Sequence, residues 1–348
     1  MNAKLSLLLL FSALFGLWAC DKNDDPATEG NYTSGVFVIN EGPFGGTGSI
    51  TWHQPETGET VQDVFGKANS GAVLGEFVQS MTLHNGKGYI VVNGANKVYV
   101  VDIVTFKFID TIGGLALPRF FLPLDDDFGL VSQWGADGLT GSVAKVDLKT
   151  LQIVQTIPTG KGPEKMIRQA NGLILIPNSG GFGVDSTVSV LNFGITEELD
   201  RLVVPGKNPS TAAIPFFVNN PLGPFTFVHC RGSFLDTNPA GWVGTVATIG
   251  GISHALPPYG EDLTVSPNGL HLYVSAAGKI YRLNESGLSP WLDQPAYGLG
   301  CAPESGNLYC ADAKDFNSAG EVVIYSPEGK RLGAFPVGVA PGEIVFIP

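Results

Sequence analysis

Residues 160–204 read GKGPEKMIRQANGLILIPNSGGFGVDSTVSVLNFGITEELDRLVV, and this stretch predicts the architecture of the whole chain. After a turn cluster at 160–164 come four short segments rich in apolar residues, at Lys165–Gln169, Leu173–Pro177, Ser186–Leu191 and Leu199–Val204. Turn residues such as Asn-Gly and Gly-Gly separate these segments, a pattern typical of antiparallel hairpins. We therefore predict a four-stranded meander. One such sheet cannot cover both of its faces, so copies of it must stack together.

The third strand of this meander recurs along the chain as a small or polar residue followed by a Val- or Ile-rich run. Its seven occurrences are Ser49–Trp52, Lys97–Asp102, Ser142–Asp147, Thr187–Val190, Trp242–Val246, Lys279–Leu283 and Glu321–Tyr325. The spacing ranges from 37 residues (280 − 243) to 55 residues (243 − 188), around the period of about 40–50 residues of propeller blades. The occurrence at Trp242 is the least regular, because its segment is long and rich in Pro and Gly.

The two ends of the folded region complement each other. Residues Glu343–Ile347 form one predicted strand without a sheet, and Val36–Phe65 supplies three strands of a blade that lacks its first. Joining them closes a ring and removes the exposed sheet edges. We therefore predict an all-β fold, a seven-bladed β-propeller over residues 36–348, closed by the C-terminal strand in the N-terminal blade. The alternatives are a pair of β-sandwiches and a β-helix.

The N-terminal region predicts export. Residues 1–19 form a predicted signal peptide, because Leu5–Leu17 is apolar but shorter than the roughly 18 residues of a membrane-spanning helix. It ends before Cys20, and this junction resembles a bacterial lipobox, in which Cys20 would carry the lipid. The alternative is an ordinary signal peptide with an incidental cysteine. Residues 20–35 are predicted to be the lipidated cysteine and a flexible tether. The acidic run Asp21–Asp25 resembles a surface-export signal of Gram-negative lipoproteins, or is a solvated linker.

Charge and motifs narrow the class of function. The formal net charge is −12, from 20 Lys and Arg against 32 Asp and Glu, so the basic surface that binds nucleic acid is missing. The sequence has no His-Glu-x-x-His, Cys-x-x-Cys or Gly-x-Ser-x-Gly motif, the signatures of zinc and hydrolase sites. We therefore predict a protein that is not an enzyme and requires no metal or cofactor.

Two cysteines flank a predicted hairpin turn. If Ser305-Gly306 is the centre of this turn, Cys301 and Cys310 lie directly opposite each other. An exported protein can hold a disulfide there. The alternative is two packed thiols, because the geometry of a cross-strand disulfide is demanding. Cys230 remains unpaired.

Loops that join second to third strands converge on one face of a propeller, around its central opening, and such loops commonly carry function. These loops hold aromatic rings interleaved with amides and charges, and exposed rings pack best when a ligand covers them. The alternative for each ring is that it caps its own blade. The residues predicted to contact a ligand are Glu41, Phe44, Trp134, Asn178, Phe182, His229, Arg231, Asp315 and Phe316.

Several segments resemble a known family. Ile157–Glu164, Leu175–Gly180 and Leu263–Gly269 look like YVTN-repeat propellers. Phe37–Gly42 and Asp312–Phe316, taken with the lipobox, resemble surface lipoprotein propellers that include the cobalamin-binding BtuG-like proteins. The resemblance implies an outer-membrane lipoprotein at the cell surface that captures cobalamin or another corrinoid and passes it to a TonB-dependent transporter. The Pro-rich segment 205–258 departs from the family pattern.

Three hypotheses of function follow. The first is capture of a small nutrient, with a corrinoid as the best candidate. The second is a scaffold or adhesion propeller that binds a protein or a glycan, for which a flat upper face without a pocket is expected. The third is a metal-dependent propeller lyase or lactone hydrolase, which the lack of clustered His and carboxylate motifs disfavours.

Overall fold

The computed structural model describes residues 30–192, 194, 197–215, 226–237, 239–246, 251–258 and 260–347. Their strands form seven four-stranded antiparallel sheets arranged as the blades of a ring. The predicted signal peptide, Cys20 and the acidic run lie outside the described residues.

Blade 1 combines both ends of the chain. It contains β1 (Val36–Asn40), β2 (Ser49–His53) and β3 (Thr60–Val61), together with the C-terminal strand β28 (Pro341–Phe346). A short helix, α1 (Val64–Ala68), follows β3, and the Asp63 carboxylate caps it by accepting a hydrogen bond of 3.1 Å from the Gly66 amide. No helix among the described residues is long and apolar enough to cross a membrane.

The other six blades each take four consecutive strands. Blade 2 contains β4 (Val78–His84), β5 (Lys87–Val92), β6 (Lys97–Asp102) and β7 (Phe108–Ile112). Blade 3 contains β8 (Pro118–Pro123), β9 (Phe128–Gln133), β10 (Ser142–Asp147) and β11 (Gln152–Pro158). Blade 4 contains β12 (Ile167–Arg168), β13 (Leu173–Asn178), β14 (Thr187–Asn192) and β15 (Asp200–Val203).

Blade 5 contains β16 (Pro209–Ala213), β17 (Phe227–Cys230), β18 (Gly241–Thr245) and β19 (Ser253–Leu256). Blade 6 contains β20 (Gly260–Val265), β21 (Leu272–Ala276), β22 (Lys279–Asn284) and β23 (Gly287–Leu292). Blade 7 contains β24 (Gly298–Cys301), β25 (Leu308–Asp312), β26 (Ala319–Tyr325) and β27 (Arg331–Val339).

The predicted fold is confirmed. All seven predicted third strands occupy the third position of a blade, as β2, β6, β10, β14, β18, β22 and β26. The irregular occurrence at Trp242 is among them, because β18 pairs with β17 in the same way as its counterparts do. The predicted closure is also confirmed, since β28 pairs antiparallel with β1 and places Ile344 opposite Val38.

The core lies between neighbouring blades. Between blades 1 and 2, one buried cluster contains Phe37, Ile39, Ile90 and Phe106. Tyr32 belongs to the same cluster, with its ring 5.2 Å from that of Trp52 in an edge contact, and the Tyr32 amide donates to the Val104 carbonyl. The packed domain therefore includes residues just before the predicted boundary at Val36.

The predicted Cys301–Cys310 pair is wrong in register. In the hairpin of β24 and β25, Cys301 lies opposite Leu308 and Cys310 lies opposite Leu299. The turn is centred one residue earlier than predicted, since the Ala302 amide donates to Asn307. Both cysteines are free thiols in the core between blades 6 and 7, and Cys230 is free and buried.

We predict that loss of packing in the closing strand weakens the whole ring. Ile344 is 9% exposed and packs in the cluster between blades 7 and 1. Ile344→Ala should lower the free energy of unfolding by about 2–5 kcal/mol, because it leaves a cavity in the core. Denaturant unfolding measures this. Val203→Ala is the control: Val203 is 80% exposed, and its truncation should change the value by about 0.5 kcal/mol or less. Equal effects would contradict the role of β28.

Candidate functional site

The first strand of each blade lines a central channel, and it begins at the face where the second strand ends, which we call the upper face. In five blades, the pairing of the first strand with the second shifts register at this face. The shifts lie between Val78 and Ser80 in blade 2, Pro118 and Phe121 in blade 3, Pro209 and Thr211 in blade 5, and Gly260 and Leu263 in blade 6, and opposite Ile39 and Asn40 in blade 1. A β-bulge turns an extra side chain out of the regular alternation. The residues at these shifts line the channel mouth or a pocket beside it: Gln79, Arg119, Ser210, Glu261 and Gly342. The bulges turn them toward the opening.

The backbone before these strands is also unusual. In five blades, a residue with a left-handed φ comes immediately before the first residue that pairs with the second strand. These residues are Phe77 (53°), Leu117 (51°), Gly162 (62°), Asn208 (55°) and Ala340 (53°). Four of these five are not glycine, and such conformations cost free energy and cluster at functional sites. The same left-handed turn therefore recurs at the upper face in five of the seven blades.

A hydrogen-bonded arc of polar side chains crosses five blades at the channel mouth. Arg119 holds its centre: its Nε donates to Glu164 at 3.1 Å, and its Nη1 donates to the side-chain oxygen of Gln79. Ser179 donates to the other oxygen of Glu164 at 2.9 Å.

The arc continues to blades 1 and 7. The Gln79 amide donates to Glu41 at 3.4 Å, and the Tyr297 hydroxyl lies 3.1 Å from both oxygens of the same carboxylate. Together with Ser210 of blade 5 and Glu261 of blade 6, each of the seven blades contributes at least one polar residue to the mouth or its flanking pockets.

An ion pair bridges the channel below this arc. Lys165 Nζ of blade 4 lies 2.7 Å from Glu343 of blade 1, and the second oxygen of Glu343 accepts a 2.9 Å hydrogen bond from the Met81 amide. Blades 1 and 4 are not neighbours in the ring, so the pair spans the opening. The channel mouth is therefore a cup with a floor, with 40 Å³ of space inside it, which is enough for a few water molecules at most.

Burial governs the protonation of the groups in the cup. Burial raises the pKa of Glu41, against the opposing effects of Arg119 and the Tyr297 hydroxyl. Burial likewise raises the pKa of Glu261 and of Asp262. The Tyr297 pKa is also raised, first by burial and then by the Glu41 charge, so its hydroxyl stays a hydrogen-bond donor at neutral pH.

Two pockets flank the cup on the upper face. The larger, which we call the groove, encloses 290 Å³ between blades 3 and 6, with walls that include Trp134, Ser179, Arg231, Phe234 and Glu261. The smaller, the side pocket, encloses 150 Å³ between blades 6 and 7 and is lined by Tyr297, Asp312 and Phe316 among others. Glu261 lines both, so the two pockets meet at this residue.

Several residues predicted from the sequence lie at these cavities. Glu41 and Arg231 line the cup. Trp134 lines the groove, with its ring 4.3 Å from the Arg119 guanidinium. The Phe182 ring meets that of Trp134 edge-on at 5.6 Å. Phe316 lines the side pocket and meets the Tyr297 ring edge-on at 5.0 Å. Phe44 lies further out, 91% exposed and in contact with Phe77.

Three predicted contact residues serve the blades instead. Asn178 is fully buried, and its Nδ2 donates to Thr187 and Ser189 on the neighbouring strand at 2.9 and 3.0 Å. Asn40 of blade 1 donates in the same way to Ser49 and Thr51. This shared pattern identifies the amide as a connection between the second and third strands. Asn178 is not among the residues that line the cup, the groove or the side pocket.

His229 and Asp315 are the other two predicted contact residues that stabilise the blades. His229 is fully buried beneath Gly260, where any side chain would meet the imidazole, and burial lowers the pKa of His229 to about 3. Its Nδ1 lies 3.3 Å from the Ser210 hydroxyl, so it supports the cup from behind. Asp315 caps its own turn by accepting from the Asn317 and Ser318 amides, which lowers its pKa.

Sequence reasoning missed Gln79, Arg119, Glu164, Glu261 and Tyr297, because it followed the loops between second and third strands. One signal was available. A proline comes immediately before a residue of the cup in four blades, as Pro118, Pro163, Pro209 and Pro341. The first three recur at intervals of 45 residues (163 − 118) and 46 residues (209 − 163). Among the described residues, no three His, Cys, Asp or Glu side chains are grouped to hold a metal ion.

We predict that Arg119 and Glu164 depend on each other. Their side chains are 12% and 5% exposed, and removing one partner of a buried ion pair costs about 3–5 kcal/mol because the other charge remains unpaired. Arg119→Met should therefore destabilise the protein by this amount, measured by denaturant unfolding. The double variant Arg119→Met, Glu164→Met should recover much of the loss. A double variant whose loss equals the sum of both single losses would contradict this coupling.

We predict a pH signature for Glu41. Because its pKa is raised in the folded state, the folded protein retains a proton that the unfolded chain releases, and the free energy of unfolding falls as pH rises from about 4.3 through the raised pKa. Glu41→Gln removes this penalty, so its stability relative to the parent protein should increase from pH 4 to pH 7. Glu56→Gln, which removes the same charge from an exposed turn, is the control. A pH-independent difference for Glu41→Gln would refute the assignment.

Comparison with known proteins agrees with this architecture. Residues 34–203, which span β1 to β15 and thus most of the first four blades, match the model of a domain of unknown function, DUF5074. No curated protein sequence matches the chain. A quinonprotein alcohol dehydrogenase-like protein from Bacteroides thetaiotaomicron superimposes with a TM-score of 0.68 at 18% identity, over 91% of this chain and 79% of that protein.

Two further solved structures show the same architecture. A hypothetical selenium-binding protein from Sulfolobus tokodaii has a TM-score of 0.65 at 10% identity, over 92% of this chain and 94% of its own. Kuenenia stuttgartiensis hydrazine synthase has a TM-score of 0.61 at 15% identity, over 78% of this chain and 92% of that chain. At these identities the likeness concerns the fold alone. The chain is thus a seven-bladed β-propeller with a DUF5074 match over residues 34–203.

Proposed function

We propose that the upper face captures a small molecule and that the protein is a lipid-anchored surface protein that passes this molecule to a TonB-dependent outer-membrane transporter. The observation that carries the proposal is the convergence of polar groups from seven blades at the cup, with the groove and the side pocket open beside it. Ligand sites are typically concave and apolar, with a few convergent polar groups. The anchoring part of the proposal rests on Cys20.

The walls supply both kinds of contact that such a ligand needs. Trp134 and Phe234 give the groove apolar surface, and Phe316 gives the side pocket the same. Phe182 and Phe234 are 63% and 70% exposed, which leaves their faces open for stacking. Ser179, Arg231 and Glu261 offer a hydroxyl, a cation and a carboxylate within the groove, so both acceptors and donors of a ligand find partners there.

A corrinoid is the ligand that we propose to test first. The family resemblance favours it, and its amide groups would complement the mixture of donors and acceptors at the mouth. The groove, at 290 Å³, is at the lower end of the usual range for ligand pockets of roughly 300–1,000 Å³. A ligand as large as a corrinoid would therefore lie across the mouth, with parts of it in the groove and the side pocket.

Binding agrees better than catalysis with the state of the polar groups. Arg119, Glu164 and Glu41 are hydrogen-bonded to one another or to Tyr297, and such preorganised networks hold side chains in place. His229, which lies 3.3 Å from the Ser210 hydroxyl of the cup, is buried, and burial lowers its pKa to about 3, far from the value near 7 that a general base needs. A scaffold with a flat upper face is less consistent with the groove and the side pocket.

The deciding experiment is calorimetric titration of the purified protein with cyanocobalamin. We expect stoichiometric binding. Phe234→Ala should weaken it about tenfold or more, because the groove loses an open aromatic wall, and a stacked aromatic side chain contributes about 1–3 kcal/mol in the comparable case of nucleobase binding. Phe108→Ala, on the outer strand of blade 2 and 46% exposed, is the matched control and should bind normally.

Absence of heat at micromolar concentrations would reject the corrinoid assignment. Normal binding by Phe234→Ala would show that the corrinoid binds elsewhere and would reject the groove as its site.

A further inference from the structure

The charged side chains around the cup are sorted by blade. The cations come from three consecutive blades, with Arg119 in blade 3, Lys165 in blade 4 and Arg231 at the end of β17 in blade 5. On the other side, Glu261 and Asp262 come from blade 6, and Glu41 and Glu343 come from blade 1. The exception is Glu164 of blade 4, which Arg119 neutralises. The charged groups around the cup therefore divide into a positive side from blades 3 to 5 and a negative side from blades 6 and 1.

Most of these charges are already paired within the protein. Arg119 is paired with Glu164, and Lys165 is paired with Glu343. Asp262 accepts hydrogen bonds from the Leu263 and Leu299 amides at 2.7 and 2.8 Å. These groups help to build the cup, and their side chains have little capacity left for a ligand.

Arg231 is different, because no described carboxylate lies within salt-bridge distance of its guanidinium, although Glu261, Glu164 and Asp262 are near enough to act on its charge. Its Nε and Nη2 both donate to the main-chain carbonyl of Glu261, at 3.3 and 3.1 Å. Within the described part of the chain, it forms no salt bridge of 4.0 Å or less. A guanidinium has five N–H donors, so several remain for a ligand in the cup or the groove, both of which Arg231 lines.

Glu261 is the complementary case. Its carboxylate accepts no hydrogen bond from any described residue, although its main-chain carbonyl anchors Arg231. The residue lines the groove and the side pocket, where the two meet. The residue is half-buried, and burial raises the pKa of its carboxyl while the nearby Arg231 charge lowers it. A ligand ammonium or N–H group would give the carboxylate the hydrogen-bond donor that no described residue supplies.

The two open charges are adjacent, because the Arg231 guanidinium rests on the Glu261 main chain. Trp134 and Phe234 are apolar walls of the same groove. We propose that this end of the groove binds a zwitterionic group on an aromatic or apolar body, as in a free aromatic α-amino acid. The ligand carboxylate would pair with Arg231, the ammonium with Glu261, and the apolar body would lie against the rings.

The paired arrangement also discriminates against other ligands. A ligand with only an anionic group would be attracted by Arg231 but repelled by the Glu261 carboxylate. A ligand with only a cationic group would be attracted by Glu261 but repelled by Arg231. Unpaired or like charges at a partly desolvated site reduce affinity. The inference rests on the proposal that the upper face captures a small molecule, and it does not require that molecule to be a corrinoid.

The test is calorimetry of the full chain at pH 7 with four probes that share one ring system. L-Tryptophan is the zwitterion, tryptamine carries only the cation, indole-3-propionate carries only the anion, and N-acetyl-L-tryptophanamide is neutral. We expect L-tryptophan to bind at least tenfold more tightly than each of the other three. Equal binding of all four, tighter binding of another probe, or no binding of L-tryptophan would overturn the proposal.

Charge-neutralising variants assign each half of the zwitterion. Arg231→Gln should weaken L-tryptophan at least tenfold and leave the weaker binding of tryptamine unchanged or improved. Glu261→Gln should weaken L-tryptophan similarly and leave indole-3-propionate unchanged or improved. Lys149→Gln removes an exposed cation whose side chain is 74% exposed, and it should behave like the parent protein. Loss of all probes in a variant whose unfolding midpoint is unchanged would overturn the assigned contacts.

Arg231→Lys guards against a folding defect, since it keeps the charge. It should retain more affinity for L-tryptophan than Arg231→Gln does; equal loss would contradict an ionic contact.

Titration with cyanocobalamin separates the two proposals. Cobalamin binding without zwitterion selectivity removes only this inference. Binding of L-tryptophan alone retains capture and rejects the corrinoid, and binding of neither removes both.

Discussion

The pairing of β28 with β1 is the interaction on which the rest of the molecule depends. Each blade is a sheet whose two faces are apolar, and each face is covered only by the next blade. An open row of seven blades would leave two faces and two strand edges in water. The five paired positions between β1 and β28 close the row into a ring, so that blades 7 and 1 also cover each other.

Ring closure also creates the candidate site. It brings the beginnings of seven first strands to one opening, where none of them is close to another in sequence. The bulges and the left-handed residues before them turn side chains into that opening. Arg119 then connects blades 2, 3 and 4, and Glu41 connects blades 1, 2 and 7. The same polar network holds neighbouring blades together and shapes a cup for a ligand.

The fold was predictable from the sequence to a large extent, and the site only in part. The repeated third strand and the unpaired C-terminal strand identified the ring, because period and alternation are local properties. Glu41, Trp134, Arg231 and Phe316 were found as members of upper-face loops. Asn178 and His229 come from the same loop ends but point into the blades, since a single register position separates a ligand contact from a core contact.

Local patterns in the chain were thus sufficient for the strands and the blade period, because each depends on alternation and turns within about fifty residues. The seam between β1 and β28 followed from the strand count, since the first blade lacked one strand and the last segment had one left over. Only the closed ring shows that Arg119 neutralises Glu164, that Lys165 reaches Glu343 across the opening, and that the Arg231 guanidinium rests on the Glu261 main chain. These contacts join residues tens to hundreds of positions apart. Which charge meets which partner is set by the rotation of one blade against the next, and strand periodicity carries no information about that rotation.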